Sequence, residues 1–598
     1  MSSRRLPRLV SVLRRTTSSD RAFAPTPSWS SSSRSPPPSG RCPRDVARAL
    51  SSASASTSAS SSGSSSASDA VDIDAFLSRF KNHERTGVPA GAGVEGGGSA
   101  AFDLSRMRRL LSALGDPHLA GYDVIHVAGT KGKGSTVGFL AAILRAAGLN
   151  VGTYKSPHVH TVAERVRCGP GDAPAAPADA FVPRRHADAV LAADVAESGR
   201  ITYFEALTAL AFARFRDRGV THAVVEVGVG GALDATNVFP ASRLSAALVT
   251  AVGRDHWDAL GGSLGAIVRA KCGIARPNRP AFLGAQTSLD AECLALSELY
   301  RRGARLIGPA DVDVRAVFRG AARDDDGTIR QIVDFSIVSD GSADGWSGGG
   351  DDVERVIANV RMPLLGPHQR ENARLAVAAI AFLRAGGGGG PDDRDGGAPW
   401  PVDDEHVRRG LERAESPGCF EVIVAPAAER DGGGDPNVRE GSGSGSDWWL
   451  VADGAHTPES AAAATATTRE VFPNAPKIAA VVAMAADKDH VGFLREMIRA
   501  RVDVVVLTTV DISGGRERAA ETETLAAAWD DATGTVDDAA TANATTKATT
   551  AASLEEGIDA ARAALGDEGG GVVLVMGSLN TVAKARAWAT GRSERRYG

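Results

Sequence analysis

The stretch His126-Val127-Ala128-Gly129-Thr130-Lys131-Gly132-Lys133-Gly134-Ser135-Thr136 decides how the rest of the chain is read. An apolar run precedes it over residues 122–127, and a helix-like run follows over residues 137–147. A glycine-rich turn between a strand and a helix is the setting of a phosphate-binding loop. Glycines let backbone N–H groups close around phosphate oxygens, and the helix N-terminus adds partial positive charge. Gly129, Thr130, Lys131, Gly132, Lys133, Gly134, Ser135 and Thr136 are therefore candidate nucleotide contacts. Lys133 can reach a transferable phosphate, and Ser135 or Thr136 can meet the phosphates or a metal. The spacing departs from G-x-x-x-x-G-K-[ST], because a glycine follows the lysine and the first glycine sits late. The blander reading, a turn with two solvated lysines, is disfavoured by the flanking strand and helix.

Outward from this loop, short apolar runs alternate with helical ones, which predicts an α/β fold with mainly parallel sheets. Strands are expected at residues 123–128, 222–227, 246–251 and 281–284, with helices at 204–216, 264–272 and 372–385. A second set of strands is expected at 420–424, 448–451, 478–484, 502–508 and 572–576. The architecture expected is a P-loop ATPase domain followed by a smaller Rossmann-like α/β domain. Ligands of open α/β sheets sit at the carboxyl ends of strands, and the polar motifs fall there.

The 598 residues carry a net charge of -5, which gives no reason to expect nucleic acid as a partner. No apolar run reaches membrane-spanning length. Five scattered cysteines without a C-x-x-C pair argue against a disulfide framework or a zinc site. Small-molecule substrates and a monomer are expected. Residues 1–70 are Arg- and Ser-rich, with Asp20 and Asp45 the only acids before residue 49. That is the composition of an organellar transit peptide, and the basic amphipathic run 4–15 favours the mitochondrion over the plastid. A disordered tail on a cytosolic protein is the alternative. Stretches 90–99, 340–352, 386–397 and 430–447 are too glycine-rich and polar to bury a core, so they read as insertions or linkers. The expected boundary lies at 386–399, between a first domain at 71–385 and a second at 400–598. Residues 532–552 read as a loop insertion.

Four further motifs carry chemistry. In Lys155-Ser156-Pro157-His158 a hydroxyl beside a proline-fixed turn can ligate Mg²⁺. Glu226 ends an apolar strand and precedes Gly228, Gly230 and Gly231, a Walker-B-like arrangement suited to a cation that takes one or two carboxylates. Asp255-His256-Trp257 follows another strand, although a lone histidine is more often structural. Lys271, in Lys271-Cys272-Gly273-Ile274, ends a helix and could be a solvated charge.

Together these motifs resemble the folylpolyglutamate synthase/dihydrofolate synthase branch of the Mur ligases, over about residues 102–586. The resemblance also rests on Tyr203-Phe204-Glu205, Leu260-Gly261, Gly366-Pro367-His368-Gln369-Arg370-Glu371-Asn372-Ala373 and Asp453-Gly454-Ala455-His456. It implies a Mur-ligase-like fold, with ATP, Mg²⁺ and a monovalent cation such as K⁺ as cofactors. Gly132 to Ser135 would hold the ATP phosphates, and Asn372 and Asp453 would also meet the nucleotide. Ser156, Glu226, His256 and Lys271 would bind Mg²⁺, Lys271 as a carbamate that turns a cation into an anionic ligand. Thr202, Tyr203, Phe204, Glu205, Leu233, Asp234 and Ala235 would line the pterin side. Lys133, Lys271 and His456 would be catalytic. One departure stands out. The family usually has an arginine where this chain has Cys419, in Ser416-Pro417-Gly418-Cys419, and Arg413 or another basic residue is a candidate substitute.

The resemblance implies an ATP-dependent acid–amino-acid ligase. Residues 481–490, 260–264 and 513–516 look most like plant-type dihydrofolate synthases, with folylpolyglutamate synthase as the alternative. A P-loop NTPase using ATP only for conformational work would not need Tyr203-Phe204-Glu205 or Asp453-Gly454-Ala455-His456. A weakly catalytic homologue with a binding role is the other competing class.

Overall fold

Two parallel-rich sheets carry the functional loops. A computed structural model describes residues 70–94, 102–169, 181–325, 327–339, 353–388, 399–424, 448–512, 515–534, 546–566 and 570–590. The transit-like segment at 1–69 and most of the glycine-rich stretches lie outside the described residues.

The first sheet runs β4-β3-β6-β2-β7-β8-β9. Its strands are β2 (Asp123–Ala128), β3 (Val151–Tyr154), β4 (Val166–Gly169), β6 (His222–Glu226), β7 (Leu244–Val249), β8 (Pro280–Leu283) and β9 (Arg305–Ile307). Only the edge strand β4 pairs antiparallel. The central strand β2 is flanked on both sides and buried on both faces, which is why Val124, Ile125, Val127 and Ala128 read as one apolar run. β2 ends at Ala128, and the P-loop helix Lys133–Ala146 starts five residues on, so the turn 129–132 sits at the carboxyl end of the sheet. A short pair, β1 (Ala70–Asp72) with β5 (Phe181–Pro183), lies apart from this sheet.

A three-stranded antiparallel meander, absent from the strands expected above, follows: β10 (Val312–Arg323), β11 (Ile329–Ser339) and β12 (Val353–Met362). Val333, Phe335, Ile337, Ile357 and Val360 on it join one core with Ile125, Phe139 and Leu140 and with the helix Pro367–Arg384. The stretch 340–352, read as an insertion, connects β11 to β12 and falls outside the described residues.

The second sheet runs β13-β14-β18-β15-β16-β17. Its strands are β13 (Glu421–Val424), β14 (Trp448–Asp453), β15 (Ile478–Val482), β16 (Val504–Leu507), β17 (Lys547–Thr550) and β18 (Gly571–Met576), again with one antiparallel edge, β13. The α/β architecture with mainly parallel sheets read from the sequence is the one observed.

Two expectations are corrected. The hand-over between units does not fall at 386–399. Trp400, Val402, Val407, Leu411 and Ala414, around the helix Asp404–Arg413, share the first core with Ile143 and Leu140. Gly410 lets this helix touch the backbone of Ile143 on the P-loop helix. The first packing unit therefore continues to about residue 414, and the chain crosses to the second sheet at β13. Residues 532–552 are not wholly a loop. They contain the end of the helix Thr522–Gly534 and strand β17, whose exposed Lys and Thr residues suit a sheet edge but give no apolar signal.

Candidate active site

The carboxyl ends of β2, β3, β6 and β7 open into one cavity of about 1170 Å³, which residues of the second sheet's loops complete. Thr130, Lys131, Gly132, Lys133, Gly134 and Ser135 line one wall. Gly129 has φ +145° and packs on Thr250, where a Cβ would collide with the hydroxyl. Gly132 has φ +88° and packs on the Asn372 amide. Both positions need glycine for conformation and for space. Lys133 Nζ lies over the turn and donates to Thr130 O at 3.3 Å. Ser135 Oγ meets Ser416 Oγ at 3.1 Å. Thr136 is fully buried, and its hydroxyl has no partner among the described residues. Gly129 and Thr136 support the loop from behind rather than line the cavity.

Glu226 ends β6 and is 3 % exposed, and Ser156 N donates to its Oε2 at 3.1 Å. Burial raises its pKa, opposed by Lys133 and Lys155. Ser156, Glu226 and His256 all line the cavity, and His256 stands at φ +50°, an uncommon conformation for a non-glycine residue. A buried carboxylate in a cavity that a serine also lines suits a hard divalent cation. Among the described residues no group of three or more His, Cys, Asp or Glu forms a cage. Mg²⁺ does not require one, since it keeps waters and phosphate oxygens in its shell.

Lys271 is 3 % exposed and does not line the cavity. Its Nζ donates to Gly129 O at 2.8 Å, directly under the P-loop. Burial, reinforced by Lys133, pushes its pKa down to about 7. A substantial neutral fraction makes that amine nucleophilic, as carbamylation requires.

On the opposite side, Thr202, Phe204, Glu205, Leu233, Asp234 and Ala235 line the cavity, whereas Tyr203 does not. Several of these also have structural work. Thr202 and Glu205 form the capping box of the helix Tyr203–Asp217, and Glu205 takes a buried ion pair from Arg106 at 2.9 Å. Asp234 Oδ1 accepts Thr236 N, and Oδ2 accepts Val229 N, which shapes the 229–236 turn. Tyr203 lies under the Arg165 guanidinium, 5.8 Å from its ring centre.

From the second unit come His456, Asp487, Lys488 and Arg518. Burial, then Lys131, pushes the His456 pKa down to about 4, and its Nδ1 lies 2.9 Å from Gly454 O. Burial alone would raise Asp255, but His256, Lys131, His456 and Lys488 outweigh it and hold its carboxyl well below the usual range. Asp453 departs from its expected place on the nucleotide. It does not line the cavity, because its oxygens accept Phe420 N at 2.8 Å and Ala455 N at 2.7 Å. It thus ties the loop that carries Cys419 to the loop that carries His456. Asn372 likewise does not line the cavity: it backs Gly132, with its amide 3.1 Å from Gln369 Oε1. Sequence reasoning missed Lys488, which sits in a motif it used only for classification, and Arg518, which lies two residues past another. It also missed Lys155, quoted but given no role.

The comparisons with known proteins agree with this geometry. Residues 127–288 match the Mur ligase middle domain, and residues 441–579 match the Mur ligase glutamate ligase domain. The dihydrofolate synthase/folylpolyglutamate synthase of Mycobacterium tuberculosis is 30% identical over 440 residues, covering 71% of this chain and 77% of the relative. A probable bifunctional folylpolyglutamate synthase/dihydropteroate synthase of Halobacterium salinarum is 34% identical, covering 80% of this chain. The chain spans about half the length of that relative, 48%. The crystal structure of Mycobacterium tuberculosis folylpolyglutamate synthase complexed with ADP and AMPPCP superposes with a TM-score of 0.61 at 28% identity, covering 82% of this chain and 96% of that one. Escherichia coli FolC in complex with DHPP and ADP gives 0.59 at 26% identity, covering 86% and 97%. A P-loop on one sheet facing a second α/β unit across a shared cavity, with both Mur ligase domains matched in order, places the chain in the dihydrofolate synthase/folylpolyglutamate synthase family.

Proposed function

We propose that this chain is an ATP-dependent ligase that joins L-glutamate to dihydropteroate, giving dihydrofolate, ADP and phosphate. The observation that carries the proposal is the single cavity that brings the P-loop, the Glu226 carboxylate and the 233–235 turn within one space. A carboxylate is a poor electrophile at neutral pH. Transfer of the ATP γ-phosphoryl group to it yields an acyl phosphate, which the glutamate amine attacks with release of phosphate. The chain's part is positioning and charge neutralisation. Lys133 steadies the transferring phosphoryl group, and the loop amides of Gly132 to Ser135 hold the phosphates. Glu226, Ser156 and His256, which line the cavity, would hold Mg²⁺, which neutralises phosphate charge when bound; Lys271 would join them as a carbamate only by leaving Gly129 O, and a K⁺ requirement belongs to the same proposal. His456, neutral near pH 7, faces the cavity from the second unit. Residues 487–488 and 518 help to exclude water from an intermediate that water would hydrolyse.

The bifunctional names of several relatives favour the second reading, a polyglutamate or bifunctional synthase that adds glutamate to a folate. The two acceptors differ by a charged glutamyl unit, so a site shaped for one disfavours the other. Steady-state ADP release with glutamate and either dihydropteroate or tetrahydrofolate separates them. Dihydropteroate is expected to give the higher kcat/KM by at least about tenfold, or roughly 1.4 kcal/mol. Equal or reversed efficiencies would move the chain to the second reading. The proposal extends to a monomer imported into the mitochondrion, tested by fusing residues 1–70 to a fluorescent reporter.

A further inference from the structure

The nucleotide wall of the cavity lacks the arginine that the family resemblance expects at position 419. Cys419 lines that wall, its Sγ 3.3 Å from Ser416 Oγ, which in turn meets the P-loop Ser135. Position 419 therefore faces the phosphate-binding turn, but a thiol held protonated by burial brings no positive charge. A cation stands on the same wall. Lys155, just past the end of β3, runs beside the first turn of the P-loop helix. Its Cε lies 3.7 Å from where a Cβ on Gly134 would be, and its Nζ lies 3.8 Å from the equivalent point on Gly138. Nζ donates to Glu415 O at 3.3 Å, so the loop that carries Cys419 rests on this lysine. Of the arginines that line the cavity, Arg167 pairs with the Glu415 carboxylate at 2.9 Å, Arg145 donates to Thr153, Arg330 donates to Glu412 O at 2.7 Å and Arg518 donates to Glu84 O at 2.8 Å; Arg413, the substitute the sequence offers, also lines it and is the competing source of charge.

We propose that Lys155 supplies the phosphate-binding cation that position 419 lacks, so that the charge reaches the ATP β- and γ-phosphates from the end of β3 instead of from the 415–420 loop. The inference rests on the ligase reading only in taking ATP as the nucleotide. A lysine presents a point charge rather than a two-pronged fork, so it can serve from a different direction provided its amine reaches the phosphates.

The test is ATP and AMP binding to the full chain by calorimetry, in the presence of Mg²⁺. Lys155→Met is expected to weaken ATP at least tenfold and AMP less than twofold, because AMP lacks the β- and γ-phosphates. Adding Cys419→Arg to Lys155→Met is expected to recover most of the ATP affinity. In the unmutated chain, ATP but not AMP is expected to protect Lys155 from amine acetylation, read by peptide mass spectrometry, so the proposal stays testable should Lys155→Met not fold. Unchanged ATP affinity in Lys155→Met, an equal loss for AMP, a double variant no better than the single one, or no protection would each overturn it. Failure of the unmutated chain to bind ATP would overturn the ligase reading as well, which distinguishes the two.

Discussion

At the residue scale, the site sets buried charges against one another, and Asp453 shows the consequence. Its carboxyl is drawn into a seam between two loops, and burial pushes its pKa up to about 6, above the ordinary 3.8. The folded chain therefore holds a proton between pH 4 and 6 that the unfolded chain has already lost. Stability from this group is complete below about pH 4 and is lost as pH rises through 6. Replacing the carboxyl removes that dependence. Asp453→Asn is expected to be less stable than or equal to the parent at pH 4 and to gain about 1–3 kcal/mol on it by pH 7. Urea midpoints of both proteins across that range decide it, and a stability difference that does not change with pH would refute it. Lys271 illustrates the converse. Burial beneath Gly129 lowers an amine from 10.5 to about 7, so a lysine that reads in sequence as a solvated helix end is a buried group bonded to the P-loop backbone.

At the element scale, the helix Asp404–Arg413 links core packing to the site. It lies against the P-loop helix through Gly410, whose missing side chain admits the Cα and N of Ile143. A methyl group there has no soft neighbour to displace, so the two helices must separate. Gly410→Ala is expected to cost roughly 1–3 kcal/mol despite alanine's better helix propensity. Because Ala414, Glu415 and Ser416 follow directly and cover the P-loop, ATP affinity should fall with it. Thermal unfolding and ATP titration of the same variant check both effects. A variant as stable as the parent would mean that the two helices are not in the contact described.

At the scale of the whole molecule, the cavity is completed where the two units meet. Arg370 on the helix Pro367–Arg384 pairs with Glu470 on the helix Pro458–Val471 at 3.0 Å, lies over the Phe318 ring 4.4 Å from its centroid, and donates to Gln331. Arg518 reaches from the second unit to Glu84 O at 2.8 Å. Arg586 meets His160 at 3.0 Å, and the Arg323 guanidinium lies 5.4 Å from the Trp449 ring centre; ligand bound across the interface should couple the units further. Arg370→Ala leaves a half-buried Glu470 without its partner and is expected to split a single calorimetric unfolding transition into two. ATP at about 100 times its Kd, worth about 2.7 kcal/mol, should draw them together again. One undivided transition in the variant would show that the units are held by other contacts.

What the sequence determined by itself was local. The P-loop is contiguous, β2 and the helix Leu264–Cys272 occupy the residues that periodicity predicts, and the motifs of Ser156, Glu226 and His256 each sit at a strand end where an α/β fold must place them. Apolar period and glycine placement act over a few residues, so they are readable without the fold. What only the tertiary structure decided involves partners far apart in the chain. The meander alternates buried Val333, Phe335 and Ile337 with polar neighbours, a strand signal that does not say against which core the strands pack. The helix Asp404–Arg413 belongs to the first core because Gly410 fits Ile143, a contact across 267 positions. Asp453 is held off the cavity by the backbone of Phe420, and Lys155 meets Glu415 only where the 415–420 loop folds back over Ser135. Which neighbour a charged side chain meets depends on packing between units, and no short window of sequence contains that information.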